Sequence, residues 1–398
     1  MEDQQHRTNQ VANHAHQPVV GKFVFIAIVL LVTISLGFLG GWLGSAARSN
    51  SSQQSTQQAI RTVSEQSELI STIAKNVGPS VVSVNVTTNS RQSDIFGYGG
   101  AQQSAGTGFI ISEDGYVITN RHVIPSGVSE VSLVLDDGTE FDNVAVVGRT
   151  NANDPLDIAF LKIKDTKGKK LQPARIGDSD KMKVGDMAIA IGNALGQFQN
   201  TVTSGIISGY GRSVSASDGS GQSIEDLQNL FQTDAAINQG NSGGPLVNAS
   251  GEVIGINTAV AGNGAENIGF AIPTNDVSGL IQSVLQEGKL LRPYLGVRYV
   301  MLSEGLADQL DIKQTTGAYI LPQDRSDEVA ILPNSPAEKA GLKQEDIILK
   351  INGRDVNAAN SLVSEIGRHR VNETIELVIL RGGNEQNISV KLESTPKD

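Results

Sequence analysis

The sequence predicts a mostly β protein that begins with one membrane-spanning helix and ends with a smaller α+β unit. Three observations support this prediction. A long uncharged apolar segment lies near the N-terminus, many short apolar runs separated by turn residues follow it, and helical and strand patterns alternate after residue 291. The chain of 398 residues has 43 glycines and only 4% aromatic residues, which suits strands of Val and Ile joined by Gly turns.

Residues 1–22 are polar and rich in Gln, Asn and His, which predicts a disordered tail. Residues 23–43 carry no charge, and at about 1.5 Å per residue they would span a bilayer of about 30 Å. A cleaved signal peptide is the alternative, because Ser45, Ala46 and Ala47 are small. The apolar region of a signal peptide is usually about 7–15 residues long, so we expect a retained anchor.

Residues 44–64 are rich in Ser and Gln and predict a flexible linker. Leu69, Ile73 and Val77 then show helical spacing, which Gly78-Pro79 should end. Because the tail is short and the remainder long, we expect a single-pass membrane protein with its body on the extracytoplasmic side.

The body reads as short strands separated by turn residues, with few helices. This pattern favours β-barrels or a β-sandwich over a parallel α/β sheet. The predicted strands are Val81–Val86, Gly108–Ile111, Tyr116–Thr119, Val131–Leu135, Val144–Val147, Ile158–Ile163, Met187–Ile191, Thr201–Ser208, Pro245–Val247, Val253–Thr258 and Gly269–Ile272. Residues 88–105 and 213–223 are predicted surface loops. A helix is predicted over Asn275–Glu287, with Gly288 at its end.

The last unit should hold two helices and three strands. The helices are predicted at Pro336–Ala340 and Ala358–Ile366, and the strands at Asp346–Ile351, Glu373–Arg381 and Gln386–Leu392.

Composition excludes several classes of function. The net charge of −11 makes nucleic acid an unfavourable partner. The chain has no cysteine, which excludes disulfides, thiol catalysis and Cys-based zinc sites. Of the five histidines, only His122 and His369 lie in segments expected to fold, so a His-rich metal site is excluded and no cofactor is predicted.

Ser242 lies in a glycine-rich turn, Gly240-Asn-Ser-Gly-Gly244, before an apolar strand. Glycines allow backbone conformations closed to other residues, so the turn can expose the hydroxyl and direct N–H groups towards one point. Such a point suits the oxyanion that forms when a carbonyl is attacked. An ordinary polar turn is the alternative, since Gly, Asn and Ser are common turn residues.

A serine nucleophile needs a base and an orienting partner. His122 is the only histidine of the strand-rich body, so it is the candidate base by elimination. Asp157 lies at the start of an apolar strand and is the candidate acid that orients the histidine. Asp154 precedes a proline, which is typical of a turn residue. The chain order His…Asp…Ser excludes an α/β-hydrolase, in which the serine comes first.

These residues and their surroundings resemble the HtrA/Deg family of trypsin-like serine proteases. The matching stretches are Gly106–Ile111, Gly115–His122, Asp157–Leu161, Gln232–Leu246 and Ile268–Pro273. The resemblance implies a chymotrypsin-like double β-barrel over residues 65–287, with His122, Asp157 and Ser242 as the catalytic triad. It also implies an oxyanion hole at Gly240, Asn241 and Ser242.

Residues 291–398 resemble the PDZ domain of that family, which binds C-terminal peptides as an added strand. The matching stretches are Tyr294–Val297, Asn334–Leu342 and Asp346–Gly353. Tyr294, Leu295, Gly296 and Val297 match the carboxylate-binding loop. Extra residues between Ile320 and Ser335, including 322–328, depart from the pattern and put the shape of the groove in question.

The resemblance further implies a substrate pocket formed by Ala236, Ile268 and Phe270. Ala236 is not acidic, so we expect small or medium apolar residues such as Val at the P1 position of substrates. Asn241 stands where relatives activated by cleavage have Asp, which suggests that loop ordering, triggered by peptide binding or assembly, switches the site.

We therefore expect a membrane-anchored serine endopeptidase of extracytoplasmic protein quality control or stress signalling. Its expected partners are unfolded or misfolded proteins, C-terminal peptides at the PDZ domain, the membrane, and two further copies in a homo-trimer. The alternative is a catalytically silent chaperone or peptide-binding module on the same fold.

Overall fold

The structure is a computed structural model. It describes residues 20–88, 102–151, 154–194, 198–217, 224–238, 240–260, 268–323 and 329–396. Most of the predicted N-terminal tail, residues 1–19, lies outside this part of the chain.

The first element is a long helix, α1, over Val20–Val77. The segment Phe23–Ser45 is long and apolar enough to cross a membrane, and its side chains are exposed. The structure differs from the expected linker, because residues 44–64 are helical. No Gly or Pro occurs between residues 45 and 77, so nothing in the backbone interrupts the helix there. The helix ends at Val77, as the sequence predicts, where a 3₁₀ turn over Gly78–Ser80 begins.

Seven strands form the first sheet, which is antiparallel throughout. They are β1 Val81–Thr88, β2 Gln102–Ile110, β3 Tyr116–Thr119, β4 Val128–Leu135, β5 Glu140–Phe141, β6 Val144–Arg149 and β7 Ala159–Ile163, in the order β5-β4-β1-β2-β3-β7-β6. Thr119 at the end of β3 pairs with Ala159 at the start of β7. This register brings the residues after β3 beside those before β7.

Six strands close into a barrel. They are β8 Met187–Ala194, β9 Phe198–Ser217, β10 Ile224–Thr233, β11 Pro245–Val247, β12 Val253–Val260 and β13 Gly269–Pro273, in the order β10-β13-β12-β11-β8-β9. β9 continues to Ser217, inside the predicted loop at 213–223, of which residues 218–223 are not described. Helix α2, Ser278–Glu287, follows a 3₁₀ turn over Thr274–Val277 and ends at Gly288, whose φ of 66° is left-handed.

The last unit is an α+β domain with its own core. Its elements are β14 Pro293–Tyr294, β15 Tyr299–Met301, α3 Glu304–Gln309, β16 Ala318–Ile320, α4 Pro336–Lys339, β17 Ile347–Ile351, β18 Arg354–Asp355, α5 Leu362–Gly367, β19 Thr374–Arg381, β20 Asn384–Lys391 and β21 Glu393–Ser394. Helix α5 begins four residues later than predicted, because the Ser361 hydroxyl accepts from the Ser364 N–H and caps it there.

A buried polar cluster joins this unit to the barrel. Arg368 donates to Asp276 at 2.9 Å and to both carboxylate oxygens of Asp180 at 2.8 and 2.9 Å. Asn229 of β10 donates to Asp276 at 2.6 Å and to Ser364 of α5 at 2.9 Å. Asp276 is fully buried. Its burial raises its pKa, which the Arg368 charge and the hydrogen bonds only partly oppose.

Replacing Arg368 with Met should destabilise the fold by about 3–5 kcal/mol at neutral pH, because the Asp276 charge would stay buried without its main partner. The raised pKa of Asp276 means that its ionised form is the one the folded state disfavours. The loss should therefore be largest above that pKa and should shrink as the pH falls through it. Urea unfolding of both proteins across pH measures this difference.

Arg370→Met is the matched control. Arg370 donates to Gln286 at 3.0 Å from an exposed position, so its loss should change stability by no more than about 0.5 kcal/mol. Equal losses in the two variants, or a loss for Arg368→Met that does not vary with pH, would contradict this role of Arg368.

Candidate active site

His122 and Asp157 form a tight pair between β3 and β7. The distance from His122 Nδ1 to Asp157 Oδ2 is 2.6 Å, and the His122 backbone N–H donates to Asp157 Oδ1 at 3.0 Å. Asp157 is fully buried, whereas the His122 side chain is 34% exposed. The carboxylate therefore fixes both the backbone and the ring of His122 while the ring still reaches solvent.

Further donors hold the buried carboxyl group and its backbone. The Thr258 hydroxyl donates to Asp157 Oδ2 at 2.8 Å, and the Asn120 amide donates to the Asp157 carbonyl at 2.8 Å. Burial favours the protonated acid, but His122, the nearby Arg121 charge and the Thr258 hydroxyl outweigh it and lower the pKa of Asp157. The aspartate is therefore ionised at neutral pH and suited to orient an imidazole.

Asp154, the other candidate carboxylate, is engaged elsewhere. It forms an ion pair with Arg292 at 2.8 Å, and its side chain accepts from the Leu156 N–H at 3.0 Å. The second contact is that of a turn former, which is the role the sequence predicts.

Ser242 lies beside Thr258, which also contacts the aspartate. The Ser242 hydroxyl donates to the Thr258 carbonyl at 2.8 Å, while the Thr258 side chain donates to Asp157. One residue of β12 thus links the predicted nucleophile to the predicted orienter. Sequence reasoning missed Thr258, because a threonine in a strand is ordinary and carries no signal of this contact.

The turn that carries Ser242 packs against the first sheet. The Thr107 N–H donates to the Ser242 carbonyl at 3.0 Å, and the Thr107 hydroxyl donates to the Gly240 carbonyl at 2.8 Å. Gly243 has a φ of 84°, and a Cβ there would lie 2.2 Å from the Thr107 carbonyl oxygen and 2.4 Å from Thr119 Oγ1. Only glycine fits this position.

The predicted oxyanion hole is brought into one turn but is not open in this structure. The N–H of Gly240 donates to the Asn238 side chain at 2.9 Å, and the N–H groups of Asn241 and Ser242 donate to the Asn238 carbonyl at 3.1 Å. Asn238 therefore supplies the acceptor for all three N–H groups. Sequence reasoning missed this use of Asn238, because no spacing pattern signals it.

The uncharged Asn241 side chain is part of the same turn. Its amide donates to the Ala236 carbonyl at 2.9 Å, and its Oδ1 accepts from the Asn238 N–H at 2.9 Å. Ala236 itself is exposed. Of the other predicted pocket residues, Ile268 is half-buried and Phe270 is buried in the barrel opposite Gln232.

The predicted carboxylate-binding loop lines a groove of about 460 Å³ in the last domain. Its walls include Tyr294, Leu295, Gly296 and Val297, residues of α5, and residues 154–155 of the loop between β6 and β7. Gly296 has a φ of 86°, and a Cβ there would lie 2.3 Å from the Ser335 side chain. Glycine is therefore required in this loop.

The described ends of the insertion pair with the strand on the side away from the groove. The Arg298 carbonyl accepts from the Leu321 N–H, and the Arg298 N–H donates to the Ala330 carbonyl. Both ends of the insertion therefore lie on the β16 side of the strand that contains Arg298. Because successive residues of a strand alternate, the peptide groups of Val297 and Tyr299 face the other edge. Residues 324–328 of the insertion lie outside the described part of the chain.

Comparison with known proteins agrees with this architecture. A model of the trypsin-like peptidase domain matches residues 106–256, and a model of the PDZ domain matches residues 293–392. The fold and the site thus define a trypsin-like serine peptidase domain followed by a PDZ domain, and the predicted fold class is confirmed.

Relatives narrow the class to a family. The chain is 37% identical over 350 residues to the serine protease Do-like HtrA of Bacillus subtilis, covering 83% of this chain and 74% of that one. It is 39% identical over 310 residues to the periplasmic serine endoprotease DegP of Escherichia coli, covering 76% and 60%. This protein belongs to the HtrA family of serine proteases.

A solved structure extends the likeness. The HtrA-type protease AlgW with a decapeptide aligns with a TM-score of 0.58 at 30% identity, covering 83% of this chain and 99% of that one. The chain spans 54% of the length of a DegP-like protein of Bartonella henselae and 59% of one from Marinomonas.

Replacing Gly243 with Ala should disrupt the turn Gly240–Gly244, called the nucleophile turn because it carries the predicted nucleophile Ser242. A methyl group there would collide with the Thr107 carbonyl and the Thr119 hydroxyl. We expect a loss of stability of at least about 2 kcal/mol, from left-handed strain plus displaced backbone. Thermal unfolding of the purified chain measures it.

Gly251→Ala is the control. Gly251 also has a positive φ, of 70°, but a Cβ there meets nothing closer than Val77 Cγ2 at 3.7 Å. The Gly251→Ala variant should lose only the stability of about 1–2 kcal/mol that a left-handed backbone conformation costs a residue with a Cβ. If the two variants lost the same stability, steric exclusion at Gly243 would not be the cause.

Proposed function

We propose that this chain is a membrane-anchored serine endopeptidase that cleaves unfolded or misfolded proteins outside the cytoplasm. The observation that carries the proposal is the His122–Asp157 pair at 2.6 Å, joined to Ser242 through Thr258. Periplasmic relatives and the apolar helix at Phe23–Ser45 support the location and the anchor. The family supports assembly as a trimer, which sedimentation of the full chain tests.

In the proposed reaction the Ser242 hydroxyl leaves the Thr258 carbonyl and attacks the substrate carbonyl carbon. His122 takes the hydroxyl proton as the Oγ–C bond forms, and Asp157 holds the imidazole and balances its charge. The C–N bond then breaks as His122 passes the proton to the leaving amine. Water hydrolyses the acyl-enzyme by the same exchange, which regenerates the serine.

The N–H groups of the nucleophile turn must change partners during this cycle. They donate to Asn238 in the structure, and in the proposed active form those of Gly240 and Ser242, with Asn241 between them, bind the oxyanion instead. In this proposal the described geometry corresponds to a resting site. Peptide binding at the PDZ groove or assembly is the proposed trigger of the change.

The bonding of these N–H groups to Asn238 favours a second candidate, a catalytically silent chaperone or peptide-binding module. A turn whose three N–H groups are all satisfied internally would also suit a protein that never forms an oxyanion. Reactivity of the serine separates the two candidates.

A fluorophosphonate probe should label Ser242 covalently, and His122→Ala should abolish the labelling because the hydroxyl then has no base. Hydrolysis of an unfolded protein should fall by about 10⁶ in kcat in either Ser242→Ala or His122→Ala. Mass spectrometry of the labelled peptide identifies the site.

The same labelling, repeated with candidate C-terminal peptides, tests the trigger. A faster reaction in their presence supports switching through the PDZ groove, and Gly296→Val should remove the effect while basal labelling persists. Labelling that is absent with and without every peptide, for a folded protein, would favour the silent module.

Cleavage sites in the unfolded substrate should carry small or medium apolar P1 residues such as Val, because position 236 offers no acid to pair with Lys or Arg. Ala236→Asp should raise the share of basic P1 residues, and Ala236→Asn serves as the uncharged control. A wild-type profile dominated by Lys and Arg would overturn the specificity proposal without touching the proposed mechanism.

A further inference from the structure

Arg121 lies between the end of β3 and the ring of His122. It is 6% exposed, which is rare for an arginine. Its Nη1 atom points into the segment that leads to Asp157. We define the acid loop by its described residues, 150–151 and 154–156.

Several oxygen atoms of the acid loop converge on this one nitrogen. Arg121 Nη1 lies 3.1 Å from the Asp154 carbonyl oxygen, 3.5 Å from that of Leu156 and 3.3 Å from Thr150 Oγ1, and its two hydrogens are shared among these acceptors. It also makes a close contact with the Asn151 carbonyl. Because these acceptors lie at both ends of the loop, a single guanidinium group ties the two ends together.

Thr150 adds a second tie at the same place. Its hydroxyl bonds to the Leu156 carbonyl at 2.5 Å and lies 3.2 Å from the Ile158 carbonyl, on the far side of Asp157. The residues on either side of the aspartate are therefore fixed to Thr150, and Thr150 is fixed to Arg121. The Thr150 N–H also donates to the Ile158 carbonyl at 2.9 Å, so the side chains of Arg121 and Thr150 add to the backbone pairing that ends there.

The position of Arg121 in the chain makes this anchoring relevant to catalysis. Arg121 and His122 are consecutive, so the residue that holds the acid loop shares a backbone with the candidate base. The guanidinium charge also helps to keep Asp157 ionised, although Asp157 makes its own hydrogen bonds to His122 and Thr258.

We propose that Arg121 is a positioning residue that sets the distance and angle between Asp157 and His122 by holding the acid loop. The inference rests on the proposed function, since it concerns the same reaction. Arg121 acts through the aspartate and does not contact the reacting atoms.

The test compares Arg121→Gln and Arg121→Lys in the full-length protein, with hydrolysis of an unfolded protein and the low-field proton NMR signal of the His122–Asp157 hydrogen bond as readouts. Gln removes the charge and is too short to reach the acid loop. We expect kcat to fall by about 10²-fold with KM unchanged, as for a displacement of the catalytic groups by about 1 Å. The low-field signal should shift or broaden. Lys supplies a point-like cation to the converging oxygens and should restore kcat to within about tenfold of wild type.

Arg149→Gln is the matched control. The Arg149 side chain donates to the Ile124 carbonyl at 3.0 Å and to Ser126 at 2.7 Å, and neither acceptor belongs to the acid loop. It should leave kcat and the NMR signal unchanged. If Arg121→Gln does not fold, Thr150→Val takes its place, because it removes the second tie and should lower kcat in the same direction by a smaller factor.

Three results would overturn the inference. The first is a wild-type kcat and an unmoved proton signal in the folded Arg121→Gln or Thr150→Val protein. The others are a rise in KM with kcat unchanged in that protein, or an equal loss of kcat in Arg149→Gln. Failure of the proposed function looks different, because the wild-type protein itself would then show no hydrolysis that depends on Ser242.

Discussion

The buried carboxylate of Asp157 is the group on which the arrangement of the site depends. A charge with no exposure to solvent is tolerated only when it is paired and hydrogen-bonded. The backbone and ring of His122 and the hydroxyl of Thr258 supply that pairing. These donors come from the end of β3 and from β12, so satisfying one carboxylate requires the first sheet and the six-stranded barrel to meet at this point.

The contact between the two strand systems explains the local sequence around the serine. The nucleophile turn approaches the first sheet so closely that Gly243 leaves no room for a Cβ, and Thr107 bonds to the turn on both sides of Asn241. Gly192, on β8, has the same constraint, because its Cβ would lie 2.5 Å from that of Asn241. Gly192 and Gly243 are thus needed because a neighbouring residue lies too close to leave room for a side chain.

Much of this could be predicted from the sequence, and the reasons for the remainder are physical. His122 followed from elimination, and Asp157 from its place at the head of an apolar strand, because rare residues and strand periodicity are visible in one dimension. The roles of Thr258, Asn238 and Arg121 depend on which carbonyl oxygens come near them after folding, and no spacing rule contains that information. The helix through 44–64 was missed because Ser and Gln are common in both linkers and helices.

The hydrogen bonds of the nucleophile turn indicate how strongly the described geometry is held. Three N–H groups share Asn238 as acceptor, and each such bond contributes about 0.5–1.5 kcal/mol net. An open oxyanion hole would therefore lie only a few kcal/mol above the described turn, before any substrate contributes. Coupling between two sites is typically about 1–3 kcal/mol, which is of the same order as the shift that the proposed peptide trigger requires. Residues 154–155 of the acid loop line the PDZ groove and lie close to Asp157 in the chain, so the proposed trigger and the buried carboxylate share one loop.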